Sequence, residues 1–285
     1  MTAPAATAGF VDLHMHSTAS DGSRSPTDVV RAARAASLAA IALTDHDSVA
    51  GLAEAQLAGA ELGVRIVNGV ELSAVEGEVE THVLGLHLQD IAVLDRGLGA
   101  LREMRERRAS RIVDRLNEAG VKVAYEDVLS QAAGGALGRP HVARAMVASG
   151  WATDVRDAFD RYLGAGKPAY VAKDQLSMPD AIAMIHDAGG LAVLAHPGYS
   201  GTRERLEALA AQGLDGIEVK HPGHSASDTA RLKGLVELLG LVASGGSDWH
   251  GAGEGPRTIG MMNVPPEWLA LQDDRLATRG RVAAG

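Results

Sequence analysis

Short apolar runs alternate with amphipathic stretches along most of this chain. Residues 10–13, 39–43, 64–70 and 82–88 read as strands, rich in Val, Ile and Leu and bounded by Gly, Asp and Ser. Between them the spacing predicts a helix over 25–38, with Ser25 as its cap and Pro26 at its first position, and another over 48–62. From 95 to 161 the pattern is helical throughout, with helices expected over 101–119, 125–133, 139–149 and 153–163. The alternation then resumes: helix 179–188, strand 191–195, helix 203–212, strand 216–219, helix 228–239, strand 241–244. Repeated strand–helix units imply parallel strands. Roughly seven of them favour a distorted (β/α)7-like barrel over an open sheet, with the active site at the C-terminal strand ends. The expected fold is therefore α/β, with an inserted helical subdomain. The barrel would take residues 9–90 and 172–265, a helical insert acting as a lid would take 91–171, and a tail would take 266–285. Residues 272–285 carry no readable chemistry and are expected to be unstructured.

Metal-binding side chains punctuate the strand ends in a fixed order: His14, His16, Asp21, His46, Glu71, His82, His196, Asp248 and His250. Side chains alternate across a strand, so the His-x-His pair at 14 and 16 places both imidazoles on one face. Nine donors are too many for one ion and fit two or three. Mixed imidazoles and carboxylates suit Mn²⁺, Fe²⁺ or Zn²⁺ better than Ca²⁺ or Mg²⁺, with Mn²⁺ favoured. Glu71 can bridge two ions through its two oxygens.

Composition narrows the field. Aromatics make up 3% of the 285 residues, so aliphatic side chains must fill the core. The net charge of −9 argues against broad, non-specific nucleic-acid binding, which needs a basic face. It leaves room for a small phosphorylated substrate, because bound divalent cations invert the local field. There is no Cys, which excludes disulfides and thiolate chemistry. No signal peptide and no apolar run of ~20 residues is apparent, so a cytoplasmic protein without a membrane span is expected. No obligate protein partner is evident.

Five segments carry a resemblance: Asp12-Leu13-His14-Met15-His16 with Asp21-Gly22, Leu43-Thr44-Asp45-His46-Asp47, Gly69-Val70-Glu71, Ala195-His196-Pro197-Gly198, and Gly246-Ser247-Asp248-Trp249-His250-Gly251. Together they resemble the PHP (polymerase and histidinol phosphatase) superfamily over residues 9 to 260. Gly138-Arg139-Pro140-His141 and Ile217 to Pro222 narrow this to the branch of 3′,5′-nucleoside bisphosphate phosphatases and 5′-end RNA-trimming enzymes. The resemblance implies three subsites. His14, His16, Glu71 and Asp248 would hold one ion; Glu71, His82 and His196 a second; Asp21, His46 and His250 a third. Arg139 would clamp phosphate through paired hydrogen bonds. His141 would bind the phosphate or protonate the leaving oxygen, His221 is a second candidate acid, and Lys173 a more distant electrostatic one.

Other polar residues have plainer readings. Asp12 and Asp45 are expected to orient imidazoles, and Asp47 either to do the same or to cap the helix at 48. His87 and His186 read as structural, and His224 as a solvated loop residue or a substrate contact. Residues 102–111 read as a solvated, mixed-charge helix face.

The expected activity is metal-dependent removal of the 3′-phosphate from a 3′,5′-bisphosphate such as pAp. The alternatives are a 5′→3′ exoribonuclease on short RNA, a histidinol phosphatase, and a non-catalytic metal-binding module. The last expects lost ligands, and none of the nine is lost.

Overall fold

The computed structural model describes residues 9–132, 137–172, 176–251 and 257–283. The chain divides into two compact units, Arg96–Gln175 and the remainder.

The larger unit is built on seven strands hydrogen-bonded in chain order. They are β1 (Val11–Asp12), β2 (Ala40–Leu43), β3 (Arg65–Glu76), β4 (Val79–Leu86), β5 (Leu191–Leu194), β6 (Gly216–Lys220) and β7 (Val242–Gly245). The two ends of this sheet meet. Leu13 N–H donates to the Gly245 carbonyl at 3.0 Å, Asp248 N–H to His14 at 2.9 Å, and His16 N–H to Trp249 at 2.9 Å. The result is a nearly closed, distorted barrel filled by aliphatic side chains, among them Leu13, Ala42, Leu84, Leu86 and Val193.

The expectation of parallel strands throughout fails at β4, which runs antiparallel to both β3 and β5. A parallel partner needs a crossover, whereas an antiparallel one needs only a tight turn. Gly77, at φ +63°, makes that turn. Four acidic residues between 71 and 80 hide the apolar alternation here, so both strands run further than the sequence suggests.

The helices begin where caps are available. Ser25 accepts the Asp28 N–H and starts α1 (Pro26–Ala35). The next helix, α2 (Leu52–Leu62), starts later than 48 because the Asp47 carboxylate is engaged elsewhere: it accepts from Ser73 N–H and Oγ, both at 3.0 Å. Asp47 therefore neither caps that helix nor orients an imidazole through these bonds.

The helical unit is entered through α3 (Ile91–Glu118), which starts well before 101. It continues with α4 (Tyr125–Ala132), α5 (Arg139–Ala148) and α6 (Val155–Ala158), the last running into a π-helical turn over Phe159–Leu163. Its core includes Ile112, Leu116, Val128, Val142, Met146 and Leu163. Arg108 departs from the expected solvated face. It is buried and donates twice to the Val171 carbonyl, at 3.1 and 3.0 Å.

Three further helices alternate with the last strands: α7 (Met178–Asp187), α8 (Arg203–Ala211) and α9 (Ala226–Leu239). The tail is ordered where the sequence suggested it was not. Helix α10 (Pro266–Ala283) packs Leu269 into the barrel core, and its Gln272 is fully buried. Gln272 donates to the Ala243 carbonyl at 2.8 Å and accepts from His87 Nε2 at 3.0 Å. Among the described residues no helix is long and apolar enough to cross a membrane.

Candidate metal centre

The nine sequence-predicted donors converge at the C-terminal mouth of the barrel around one carboxylate. Glu71 lies on β3 and is 1% exposed. Its Oε2 stands 3.1 Å from His14 Nε2, 3.2 Å from His16 Nε2 and 3.3 Å from His46 Nδ1. Its Oε1 stands 2.9 Å from His82 Nδ1 and 3.0 Å from His196 Nε2. The two oxygens thus sort five imidazoles into two sets, as a bridging carboxylate would. Asp248 Oδ1 adds a third side, 3.2 Å from His16 Nε2 and 3.6 Å from His250 Nδ1. Asp21 completes the rim, 3.3 Å from His250 Nε2 and 3.7 Å from His16 Nδ1.

Local chain geometry explains the delivery. Met15 points into the core between His14 and His16, so both imidazoles face the mouth. Gly246 packs directly on His14, where any added Cβ would collide with its backbone and Cβ. Two proposed ligands, His196 at φ +30° and Asp248 at φ +50°, occupy the left-handed region that non-glycine residues avoid.

Among the described residues, donor atoms close enough to share an ion fall into three groups: His14, His16, Glu71 and Asp248; His16, Asp21, His46 and His250; and His46, Glu71 and His82. The first coincides with the expected subsite. The second adds His16 to its expected set. The third puts His46 where His196 was expected; the His196 ring nitrogen meets the centre at Glu71 Oε1, 3.0 Å away.

These residues suit bound cations. Both ring nitrogens of His16 and Nδ1 of His82 are buried without a hydrogen-bond partner, although carboxylate oxygens lie within 2.9–3.7 Å. Buried polar atoms normally find partners, so donors gathered in this way point at a common centre rather than at each other. The field agrees. Burial opposes charge on His14, yet Glu71 and Glu218 overcome it and raise its pKa well above 6.5. Burial likewise opposes charge on Glu71, but His14 and the neighbouring imidazoles hold its pKa well below the usual range. For Asp21 burial is outweighed by His250, His46 and His16, and its pKa falls to about 2. Carboxylates that hold His14 in its charged form against burial would also attract a divalent cation.

Glu218 is the functional residue that sequence reasoning missed. It sits on β6, is fully buried, and accepts from His14 Nδ1 at 3.1 Å and from His196 N–H at 2.8 Å. An acidic residue inside an apolar strand was the available signal. Arg257 was also missed; its guanidinium pairs with Asp248 Oδ2. His221 Nδ1 accepts the Gly223 N–H, so its Nε2–H is directed at Asp248 Oδ2, 3.3 Å away. The expected imidazole-orienting roles of Asp12 and Asp45 are not seen. Asp12 accepts from Ser247 and Gly260 N–H, and Asp45 holds Ser17 and Ser20. Both carboxylates are taken up in anchoring loops; Asp45 adjoins His46 in sequence, whereas Asp12 is two residues from His14.

His87 and His186 are structural, bound to Gln272 and Asp215 respectively. His224 is half-buried and bonded within the chain: its Nδ1–H donates to the Val219 carbonyl and its Nε2 accepts the Gly198 N–H at 3.1 Å. Arg139 and His141 lie in the helical unit at the start of α5. Arg139 donates to the Leu163 carbonyl and lies over the Phe159 and Tyr170 rings, while His141 Nδ1 accepts the Gly138 N–H. Lys173 lies outside the described residues.

Comparison with known proteins fits this arrangement. The model of the PHP domain matches residues 12–172, more than half of the chain. This chain belongs to the PHP family. Its PHP relatives include a 3′,5′-nucleoside bisphosphate phosphatase of Chromobacterium violaceum, 40% identical over 90% of this chain and 93% of that protein. A 5′-3′ exoribonuclease of Haemophilus influenzae is 38% identical over 84% and 89%. A crystal structure from Bifidobacterium adolescentis, described as a metal-dependent phosphoesterase, superposes with a TM-score of 0.72 at 33% identity, covering 92% and 94%.

Proposed function

We propose that this chain, a metal-dependent phosphoesterase of the PHP family, removes the 3′-phosphate from 3′,5′-nucleoside bisphosphates. The observation that carries the substrate is the likeness to the C. violaceum phosphatase over nine-tenths of the chain. The barrel mouth supplies the chemistry. Divalent ions held there would place positive charge on the phosphoryl oxygens and lower the pKa of a bound water towards neutrality. Imidazole and carboxylate donors together suit Mn²⁺, with Fe²⁺ or Zn²⁺ as alternatives.

The chain's own residues hold that centre in shape. Glu71 spans it with both oxygens. Glu218 fixes the His14 ring and the His196 backbone. His221 and Arg257 both bind Asp248 Oδ2, so His221 acts in this reading as a positioning residue rather than a free acid. Arg139, His141 and Lys173 enter as phosphate-handling residues on the resemblance alone.

Phosphate release by the Mn²⁺-loaded protein from pAp, 5′-AMP, 3′-AMP, histidinol phosphate and a 5′-phosphorylated trinucleotide tests the proposal. Rapid conversion of pAp to AMP, with the monophosphates slow, is expected. Mononucleotide release from the trinucleotide with pAp inert would move the activity to a 5′→3′ exoribonuclease, the reading favoured by the H. influenzae relative. Inertness towards all five would overturn both.

A further inference from the structure

A cavity of about 460 Å³ opens beside the metal centre, with His82 and His196 in its wall. This volume lies in the range of small-molecule sites, ~300–1,000 Å³. One wall is the tip of the β3–β4 hairpin, with Glu76, Val79, Glu80 and Thr81. The other is the segment that follows His196, with Pro197 and Ser200.

The second wall is fixed in place. Arg231 donates to the Gly198 carbonyl at 2.7 Å and also to that of Gly201, while His224 Nε2 receives the Gly198 N–H. A wall held from outside does not need ordering when a ligand arrives.

Charge decides what the cavity takes. Arg205 is the only Lys or Arg among the described residues that line it, and its guanidinium is committed. It pairs with Glu76, and it donates to Ser200 Oγ at 2.7 Å and Thr81 Oγ1 at 3.1 Å. Glu80 adds another carboxylate. With Arg205 engaged, the described lining offers no free guanidinium or ammonium to hold a phosphate away from the ions. It offers carboxylate and hydroxyl oxygens to hydroxyls and amines, with the apolar faces of Val79 and Pro197 beside them.

We propose that this cavity is the subsite for the uncharged sugar and base of the leaving group. The second phosphate of a bisphosphate would then be read elsewhere. The inference rests on the nucleotide-phosphatase reading above and adds the part of the substrate that this cavity selects. Val79 is 67% exposed at the hairpin tip, so a large side chain there fills the cavity without disturbing the core.

The test is Val79→Trp, with Val79→Thr as control, in the Mn²⁺-loaded protein. Three quantities are read: KM for pAp, the inhibition constant of inorganic phosphate against pAp, and bound metal per chain. Val79→Trp is expected to raise KM at least tenfold while phosphate inhibition and metal content stay within twofold, and Val79→Thr to match the parent. An unchanged KM overturns the subsite. So does a parallel change in KM and phosphate inhibition, which would mean that the cavity holds the reacting phosphate. Failure of the parent protein to hydrolyse pAp fails the proposed function itself, and the inference with it, which is a different result from a silent Val79→Trp.

Discussion

Glu218 does for the imidazoles what no ligand can do for itself. Its oxygens receive His14 Nδ1–H and the His196 backbone N–H, leaving the His14 Nε2 lone pair aimed at Glu71 and the mouth. Partners of this kind typically contribute 10–100-fold in metal affinity. Glu218→Gln keeps one acceptor but loses the charge, so a drop of about that size in Mn²⁺ affinity is expected. Turnover should be largely restored at saturating Mn²⁺. Metal titration and kcat at high metal check this, and unchanged affinity would remove Glu218 from the centre. The convergence of these nine side chains was legible because His, Asp and Glu interrupt or follow apolar runs, where polar residues have no structural reason to cluster. Glu218 was not, because one acidic residue between Ile217 and Val219 reads as the outward half of an alternating strand. Only closure of the barrel turns that side inward. Asp12 and Asp45 misled because a carboxylate close to a ligand in sequence can be taken up by loop N–H groups and hydroxyls instead.

At the scale of elements, α10 is the clearest departure from expectation. Its sequence carries many charged residues and few large apolar ones, so it does not stand out as helix; packing against β7 makes it one. His87 joins it to the barrel through Gln272, and also faces Asp273, 3.5 Å away, whose carboxylate is paired with Arg65. Burial pushes the His87 pKa below 6.5, and Arg65 assists while Gln272 and Asp273 oppose. The unfolded imidazole takes a proton near 6.5 and the folded one resists, so the unfolded chain binds more protons below that pH. His87 therefore costs nothing above 6.5 and removes stability as the pH falls beneath it, until the folded ring is protonated too. Position 87 has φ +59°, which Asn tolerates. In thermal melts at pH 7.5 and 5.5, His87→Asn is expected to show a smaller acid-induced fall in Tm than the parent. Equal falls would place the acid sensitivity elsewhere. The hairpin at β4 was missed for a different reason, since carboxylates at its tip and the buried Glu71 mask a plain alternation.

For the whole molecule the dominant feature is negative charge drawn to one point of an already acidic chain, −9 overall. Glu71, Asp21, Asp248 and Glu218 are held close together against their mutual repulsion, neutralised by imidazoles and, at Asp248, by the Arg257 guanidinium. Cations that bind there stabilise the folded state by mass action, by about 2.7 kcal/mol at a hundredfold excess over Kd. A rise of several degrees in Tm on adding Mn²⁺ to the chelator-stripped protein is expected, together with loss of phosphate release on chelation. Scanning fluorimetry with and without metal reads the first, and an unmoved Tm would count against a cation-binding centre. The barrel as a whole was legible because strand–helix alternation is written in periodicity, whereas its closure depends on backbone bonds that no side-chain pattern announces. One feature of that barrel has a longer reach. Glu71 pairs with Leu84 and Ser73 with His82, so every rung above these projects past the donors towards Gly77. Residues added or deleted in equal numbers on either side of the turn leave the lower rungs in register. The hairpin can therefore grow, shrink or change composition while the ion-holding rungs stay where they are. A lineage could exchange one substrate for another by editing a few tip residues and never touch the hydrolytic apparatus beneath.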